Sequence, residues 1–76
     1  MRAELMRYLT GNAPHEKKID ALLQYGHLFS SEQFVVWAES VLGKAQDANA
    51  NLSAQKVEEL KKRIAARRSH AEKSSN

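Results

Sequence analysis

"FSSEQFVVW", residues 29–37, contains the one tryptophan and both phenylalanines of a chain of 76 residues. Ser30, followed three residues later by Gln33, forms a capping box, in which the serine side chain accepts a hydrogen bond from the first turn of a helix. Phe29 before this cap and Phe34 four residues after it have the spacing of a hydrophobic staple, which fixes how the chain enters the helix. The stretch therefore predicts that a helix begins at residue 30.

The predicted helix runs over about residues 30–46 and has one broad apolar face. At about 100° per residue, that face holds Phe34, Trp37, Ala38, Val41, Leu42 and Ala45. Trp37 lies at the border of the face and Val35 at its rim. Val36 points to the opposite side of the helix, among polar neighbours. We therefore expect Val36 to lie outside the core.

Helical spacing of apolar residues recurs elsewhere and predicts three more helices, over about residues 2–10, 13–25 and 53–68. Their apolar stripes are Leu5, Tyr8 and Leu9 in the first, Ile19, Leu22 and Leu23 in the second, and Val57, Leu60 and Ile64 in the last. No segment shows the strict alternation that is typical of a strand. We expect an all-α fold, a compact single domain of four short helices over residues 1–68, followed by a frayed, flexible polar tail over residues 69–76.

Glycine, proline and polar residues mark the predicted helix ends. Gly11 stands where a left-handed C-terminal cap is favoured, and Gly26 is the expected end of the second helix. Asn12 is the predicted N-cap of that helix, with Pro14 in its first turn, where a missing amide hydrogen costs nothing. Ser53 is the predicted N-cap of the last helix.

Composition excludes several classes of protein. The chain is 42% hydrophobic and 28% charged, which is typical of a globular domain rather than a disordered one. It has no cysteine, so it has neither a disulfide nor a thiolate metal site. The charges of Arg2, Glu4 and Arg7 interrupt any apolar signal core, and no run approaches the roughly 18 apolar residues of a membrane helix. We expect a cytoplasmic protein that does not enter membranes.

Catalytic patterns are weak in this sequence. The serines at positions 30, 31 and 53 are explained as helix caps, and the three histidines, His15, His27 and His70, lie in three different segments. The three glycines are isolated, so there is no glycine-rich phosphate loop. We predict that the protein is not an enzyme and needs no cofactor.

One segment has the spacing of a calcium-binding loop. Residues 47–58 place Asp47, Asn49, Asn51 and Glu58 at positions one, three, five and twelve of an EF-hand pattern. Position six of that pattern needs glycine for a sharp left-handed turn, and here it is Leu52. These four residues are weak candidates for a metal site, and a degenerate calcium-binding helix–loop–helix is the most distant of our functional hypotheses.

Apolar residues provide the leading functional hypothesis. We predict that Val36, Trp37, Leu60 and Ile64 form protein–protein contacts, because Trp37 is a frequent hot-spot residue type and Val36 is not needed by the core. The narrow stripe of the last helix is suited to packing on another helix, which a second subunit could supply. The protein would then be a small regulator or adaptor, of the bacterial or phage type, that binds a protein partner or itself.

A basic segment provides the alternative hypothesis. The net charge is +3, and the whole excess lies after residue 46, with five basic and no acidic residues within 61–68. Its cations are Lys61, Lys62, Arg63, Arg67 and Arg68. On a helix they would line a phosphate backbone, as in a nucleic-acid-associated protein or a transcription or nucleoid modulator. No aromatic residue is interleaved with them, so base stacking is not offered.

Overall fold

A computed structural model of the protein describes the backbone of residues 2–74 and the side chains of residues 2–70. The described chain forms four α-helices and no strand, which confirms the predicted all-α fold. The elements in chain order are α1 (Arg2–Thr10), α2 (His15–Tyr25), a 3-10 turn (Gly26–Leu28), α3 (Ser31–Asp47) and α4 (Ala54–Ser74). Among the described residues, no helix combines the length and the apolar character that are needed to span a bilayer.

The start of α3 confirms Ser30 as the predicted N-cap. Ser30 has extended backbone angles, with φ −64° and ψ 163°, and its Oγ accepts a hydrogen bond from the amide of Gln33 at 3.3 Å. The first helical bond follows, from the Phe34 amide to the Ser30 carbonyl at 2.8 Å. Phe29 and Phe34, the two staple residues, are 3% and 2% exposed and belong to the same core cluster. Local sequence therefore determines where this helix begins.

The start of α2 differs from the prediction. The helix begins at His15 rather than residue 13, and Pro14 occupies the N-cap with no side chain accepting a hydrogen bond there. Asn12 is therefore not its N-cap. Gly11 is not left-handed either, because no glycine among the described residues has a positive φ. Proline can occupy the N-cap because its ring holds φ near the −57° found here, and the observed ψ of 146° is the extended value typical of this position.

Gly26 ends α2 as predicted, but for a different physical reason. Its backbone is right-handed, with φ −59° and ψ −24°, and it opens the 3-10 turn. Gly26 is buried, and a Cβ placed on it would lie 2.4 Å from Cε1 of Phe34 and 2.8 Å from Cδ1. Glycine is needed here because the Phe34 ring occupies the space of a side chain.

The C-terminus of α3 forms a Schellman motif around Asn49. Asn49 has a left-handed φ of 53°, and its amide donates to the Gln46 carbonyl at 3.0 Å. The Ala50 amide donates to the Ala45 carbonyl, also at 3.0 Å. These are the two bonds that satisfy the last carbonyls of a helix ending in a left-handed residue. Asparagine is used here in place of the more usual glycine because it tolerates this conformation better than most residues.

Helix α4 is longer than predicted. It begins after Ser53, whose carbonyl accepts from the Val57 amide at 3.1 Å, and continues to Ser74 rather than ending at residue 68. Residues 69–74 therefore lie within the helix rather than beyond its end. The flexibility of the tail over 69–76 stays a prediction, and residues 75 and 76 lie outside the described part. The prediction ended the helix where its apolar stripe ends. No glycine or proline follows to stop it, however.

The core lies between α2, α3 and α4. The largest helix–helix contact joins α3 and α4, α2 packs on both, and α1 packs chiefly on α2. Phe34, Ile19, Leu22 and Leu60 are the largest side chains that are fully buried. The other buried apolar side chains are Leu5, Leu9, Phe29, Ala38, Val41, Leu42, Ala45 and Ile64. Helix α1 is therefore attached at the edge of a three-helix core.

We predict opposite effects of alanine at two glycines. Gly26→Ala should lower the free energy of unfolding by about 1–3 kcal/mol, because its Cβ overlaps the buried Phe34 ring. Gly43→Ala is the matched control, since a Cβ there has no neighbouring atom within 4 Å. It should raise stability by about 0.5–1 kcal/mol, as alanine does in a helix interior. Urea denaturation measures both, and equal effects would contradict the steric account.

We also predict that position 49 distinguishes glycine from alanine. Asn49→Gly should leave stability unchanged or raise it, because glycine adopts the left-handed region freely. Asn49→Ala should lower it by up to about 1 kcal/mol, since a Cβ opposes that region. Urea denaturation measures both variants. The matched control is Asn51, an exposed residue whose φ is not left-handed, where the glycine variant should not be more stable than the alanine variant.

Candidate interaction surfaces

Arg67 is bound to the turn that precedes α3. Its Nη2 donates to the Phe29 carbonyl at 2.5 Å, and its guanidinium carbon lies 5.1 Å from the centre of the Phe34 ring. This is cation–π geometry. The side chain is half-buried, and its Nε has no hydrogen-bond acceptor among the described residues. Arg67 therefore joins α4 to both staple phenylalanines.

Arg63 caps the end of α2 from a distance. Its Nη1 donates at 2.8 Å to the carbonyl of Leu23, one of the last four carbonyls of that helix, and its Nε donates to Glu59 at 3.3 Å. Terminal carbonyls lack partners within their own helix, and a positive charge beside them is favourable. The cation supplied by α4 therefore stabilises the C-terminus of α2.

Two further cations of α4 form ion pairs with other helices. Arg68 donates through Nη2 to Glu39 of α3. Lys56 Nζ lies 2.9 Å from Glu16 Oε1 and 3.0 Å from Asp20 Oδ1, both in α2. The hydrogen bonds that Lys56 donates to Glu16 and, second, to Asp20 raise the pKa of Lys56 above its ordinary value, because they favour the charged amine. The first turn of α4, at Lys56, and a point in its second half, at Arg68, are thus held electrostatically.

These contacts divide the predicted nucleic-acid surface. Of its five cations, Arg63, Arg67 and Arg68 are bonded to carbonyls or carboxylates of the chain. Lys61 and Lys62 are exposed, and neither has an ion pair with a described residue. The segment is therefore not a uniform row of free cations, because three of its five cations are bonded to other parts of the chain.

Trp37 and Val36 occupy different environments on α3. Val36 is 66% exposed, as its position opposite the apolar face predicts. Trp37 is half-buried and stacks on Phe29, with ring centres 6.3 Å apart and planes inclined by 10°. Leu60 and Ile64, the other two predicted contact residues, are 0% and 7% exposed and belong to the core of this chain. Only Val36 and the exposed part of Trp37 remain for contact with a partner.

The calcium-like segment has a different geometry from an EF-hand. Its left-handed residue is Asn49, at the third position of the pattern, whereas an EF-hand turns at the sixth. Asp47 is the last residue of α3, and Glu58 lies in the second turn of α4. Among the described residues, no group of three or more acidic, histidine or cysteine side chains is arranged to hold a metal ion. The Schellman motif explains the asparagine at position 49.

A groove between α1 and α2 is a surface that the sequence did not predict. It has a volume of about 500 Å³, and Leu5, Tyr8, Ala21 and Tyr25 are among its lining residues. Tyr8 was expected on the buried face of α1, yet it is 42% exposed. Helix α1 contacts chiefly α2, and Leu5 and Leu9 are the residues it buries there. Helix α1 has nine residues and packs chiefly on one other helix. Its short length could have indicated that Tyr8, the third apolar residue of its stripe, would stay accessible.

Charged side chains surround this groove. Glu4 of α1 and Lys17 of α2 line it, and among the described residues neither has an ion pair. Asp20, which also lines it, is paired with Lys56. An apolar floor with a polar rim is the usual composition of a protein–protein contact.

No protein-family model matches the chain, and neither a curated protein nor a solved structure matches it. The functional conclusions below therefore depend on the surfaces of this chain alone.

The cations of α4 should differ in their contribution to stability. Arg67→Gln should cost about 2 kcal/mol, because it removes a charged donor from a half-buried carbonyl. Arg68→Gln should cost at most about 1 kcal/mol, since that ion pair is half exposed to water. Lys62→Gln is the control and should change stability by less than about 0.5 kcal/mol. Similar costs at all three positions, measured by urea denaturation, would contradict the assignment of Arg67 as a structural residue.

Proposed function

We propose that the protein is a non-enzymatic interaction protein, a cytoplasmic regulator or adaptor, which binds an amphipathic helix of a partner protein in the groove between α1 and α2. The observation that supports this most directly is the groove itself, with the half-exposed Tyr8 beside Leu5 and Tyr25. Tyrosine is among the residue types that contribute most to binding energy at protein interfaces.

A helix is the occupant that suits the chemistry of this groove. Amphipathic helices bind by laying an apolar stripe into a groove between helices. Leu5 and Ala21 line the groove as apolar residues, and Glu4 and Lys17 can each form an ion pair with a partner residue beside the stripe. A partner helix with an apolar anchor flanked by one basic and one acidic residue would match this arrangement.

Val36 and Trp37 form a second candidate contact surface on α3. Val36 is the other large apolar side chain that the described structure exposes. A single exposed valine is common on protein surfaces, so it supports an interface less strongly than the groove does. If one partner covers both surfaces, its binding will require Val36 as well as Tyr8. The same holds if a second copy of this chain binds at Val36 while the partner occupies the groove.

Nucleic-acid binding remains the alternative function. Lys61 and Lys62 are exposed and unpaired among the described residues, and they favour contact with phosphates. The bonds made by Arg63, Arg67 and Arg68 within the chain make this reading weaker, because those cations would have to release internal acceptors.

The test is affinity capture from lysate of the source cell, followed by affinity measurement with the purified partner. Tyr8→Ala should weaken partner binding at least tenfold, because it removes the exposed ring of the groove, whereas Tyr8→Phe should retain most of it. The control Gln55→Ala changes an exposed residue outside both surfaces and should bind as wild type. Far-UV circular dichroism checks that each variant is folded.

Three outcomes of this experiment separate the alternatives. Capture that survives nuclease treatment and is lost in Tyr8→Ala supports the groove. Capture lost in Val36→Ser but retained in Tyr8→Ala would move the interface to α3 and contradict the groove proposal. Capture abolished by nuclease, or by Lys61→Glu with Lys62→Glu, would instead indicate nucleic-acid binding.

A further inference from the structure

A smaller pocket lies between the 3-10 turn and α4. Its volume is about 220 Å³, and it is lined by Gly26, His27, Phe34, Arg63, Ala66 and Arg67. Two of these residues are arginines and one is a histidine, and none of the six is acidic. A concave site with this lining presents positive charge to anything that enters it.

The two guanidinium groups of this pocket are held in position by neutral acceptors. Arg63 donates to the Leu23 carbonyl at 2.8 Å and Arg67 to the Phe29 carbonyl at 2.5 Å. Carbonyls fix the orientation of a guanidinium without neutralising its charge. Each arginine has five N–H donors, so these bonds leave others available. The two guanidinium groups therefore have fixed positions and keep most of their positive charge before a ligand binds.

Charge balance around the pocket differs between its two arginines. Arg63 is partly neutralised by Glu59, whose Oε1 lies 3.3 Å from its Nε. Arg67 has no acidic partner within the described chain, and its buried Nε has no acceptor. A buried donor without an acceptor is costly, and an anion beside the guanidinium reduces that cost. The Phe34 ring forms an apolar wall of the pocket.

We propose that this pocket binds the phosphate or carboxylate group of a small anionic ligand, with Arg63 and Arg67 as its two guanidinium donors. Paired N–H donors of arginine match the oxygens of phosphates and carboxylates in geometry as well as in charge. The volume is below the roughly 300–1,000 Å³ of drug-sized ligand sites, so it suits one oxyanion group with a small substituent. This site is independent of the groove between α1 and α2 and adds a ligand to the proposed function.

The test is a titration of ¹⁵N-labelled protein with inorganic phosphate, followed by NMR at constant ionic strength balanced with chloride. Saturable shifts are expected at the amides of Gly26, His27 and Ala66 and at the Nε–H of Arg67. A parallel titration with acetate distinguishes the carboxylate source from the phosphate source. Saturation by either anion at these positions supports the site and names the preferred group.

Two variants with equal loss of charge make the test specific. Arg63→Gln should weaken anion binding at least fivefold, because it removes one of the two guanidinium donors. Lys62→Gln removes the same charge from an exposed neighbouring residue and should leave binding within twofold of wild type. If Arg63→Gln does not fold, Arg63→Lys keeps the charge without the planar donors, and it should still weaken phosphate binding at least threefold.

The proposal is overturned by any of three results. The first is the absence of saturable shifts with both anions up to 20 mM, a concentration on the order of the weakest specific binding that such a site would need. The second is equal weakening in Arg63→Gln and Lys62→Gln, which would indicate a diffuse charge effect. The third is a set of shifts centred on Lys61 and Lys62 rather than on the pocket.

Discussion

The ring of Phe34 is the contact on which the arrangement of the helices depends. It occupies the space where Gly26 would otherwise carry a side chain, it belongs to the same buried cluster as Phe29, and Arg67 lies over its face. One side chain of α3 therefore meets the end of α2, the turn and α4 at a single point. Because interiors are close-packed, a change at any of these neighbours is transmitted to the others.

Cations of α4 add polar contacts to the apolar contact at Phe34. Arg63 and Arg67 donate to the carbonyls of Leu23 and Phe29, which lie on either side of the 3-10 turn, and Lys56 and Arg68 pair with carboxylates of α2 and α3. A domain of this size buries a limited apolar surface and has no disulfide. Polar contacts made across the helices therefore contribute to the position of α4, whose own apolar stripe is narrow.

The sequence predicted what depends on neighbours within a few residues. The N-cap at Ser30, the staple at Phe29 and Phe34, the helix count and the exposure of Val36 all follow from spacings of five residues or fewer. What it could not predict joins residues far apart: Arg63 and Leu23 are separated by 40 positions, and Arg67 and Phe29 by 38. Helical periodicity shows on which side of α4 a cation lies. It does not show which carbonyl of another segment will accept a hydrogen bond from that cation. The steric role of Gly26 and the groove beside Tyr8 were missed because both depend on how one helix packs against another, which periodicity within a helix does not give.

The C-terminal end of α2 separates two surfaces of different chemistry. Gln24 and Tyr25 line the groove next to α1, and the next two residues, Gly26 and His27, line the cationic pocket next to α4. Four consecutive residues thus divide between a groove suited to the apolar face of an amphipathic helix and a pocket suited to an anion. The position of this segment is set by the contact of Gly26 with Phe34 and by the bond from Arg63 to Leu23. A ligand on either surface would therefore contact backbone that the core already holds, so neither site has to be assembled from a disordered segment when it binds.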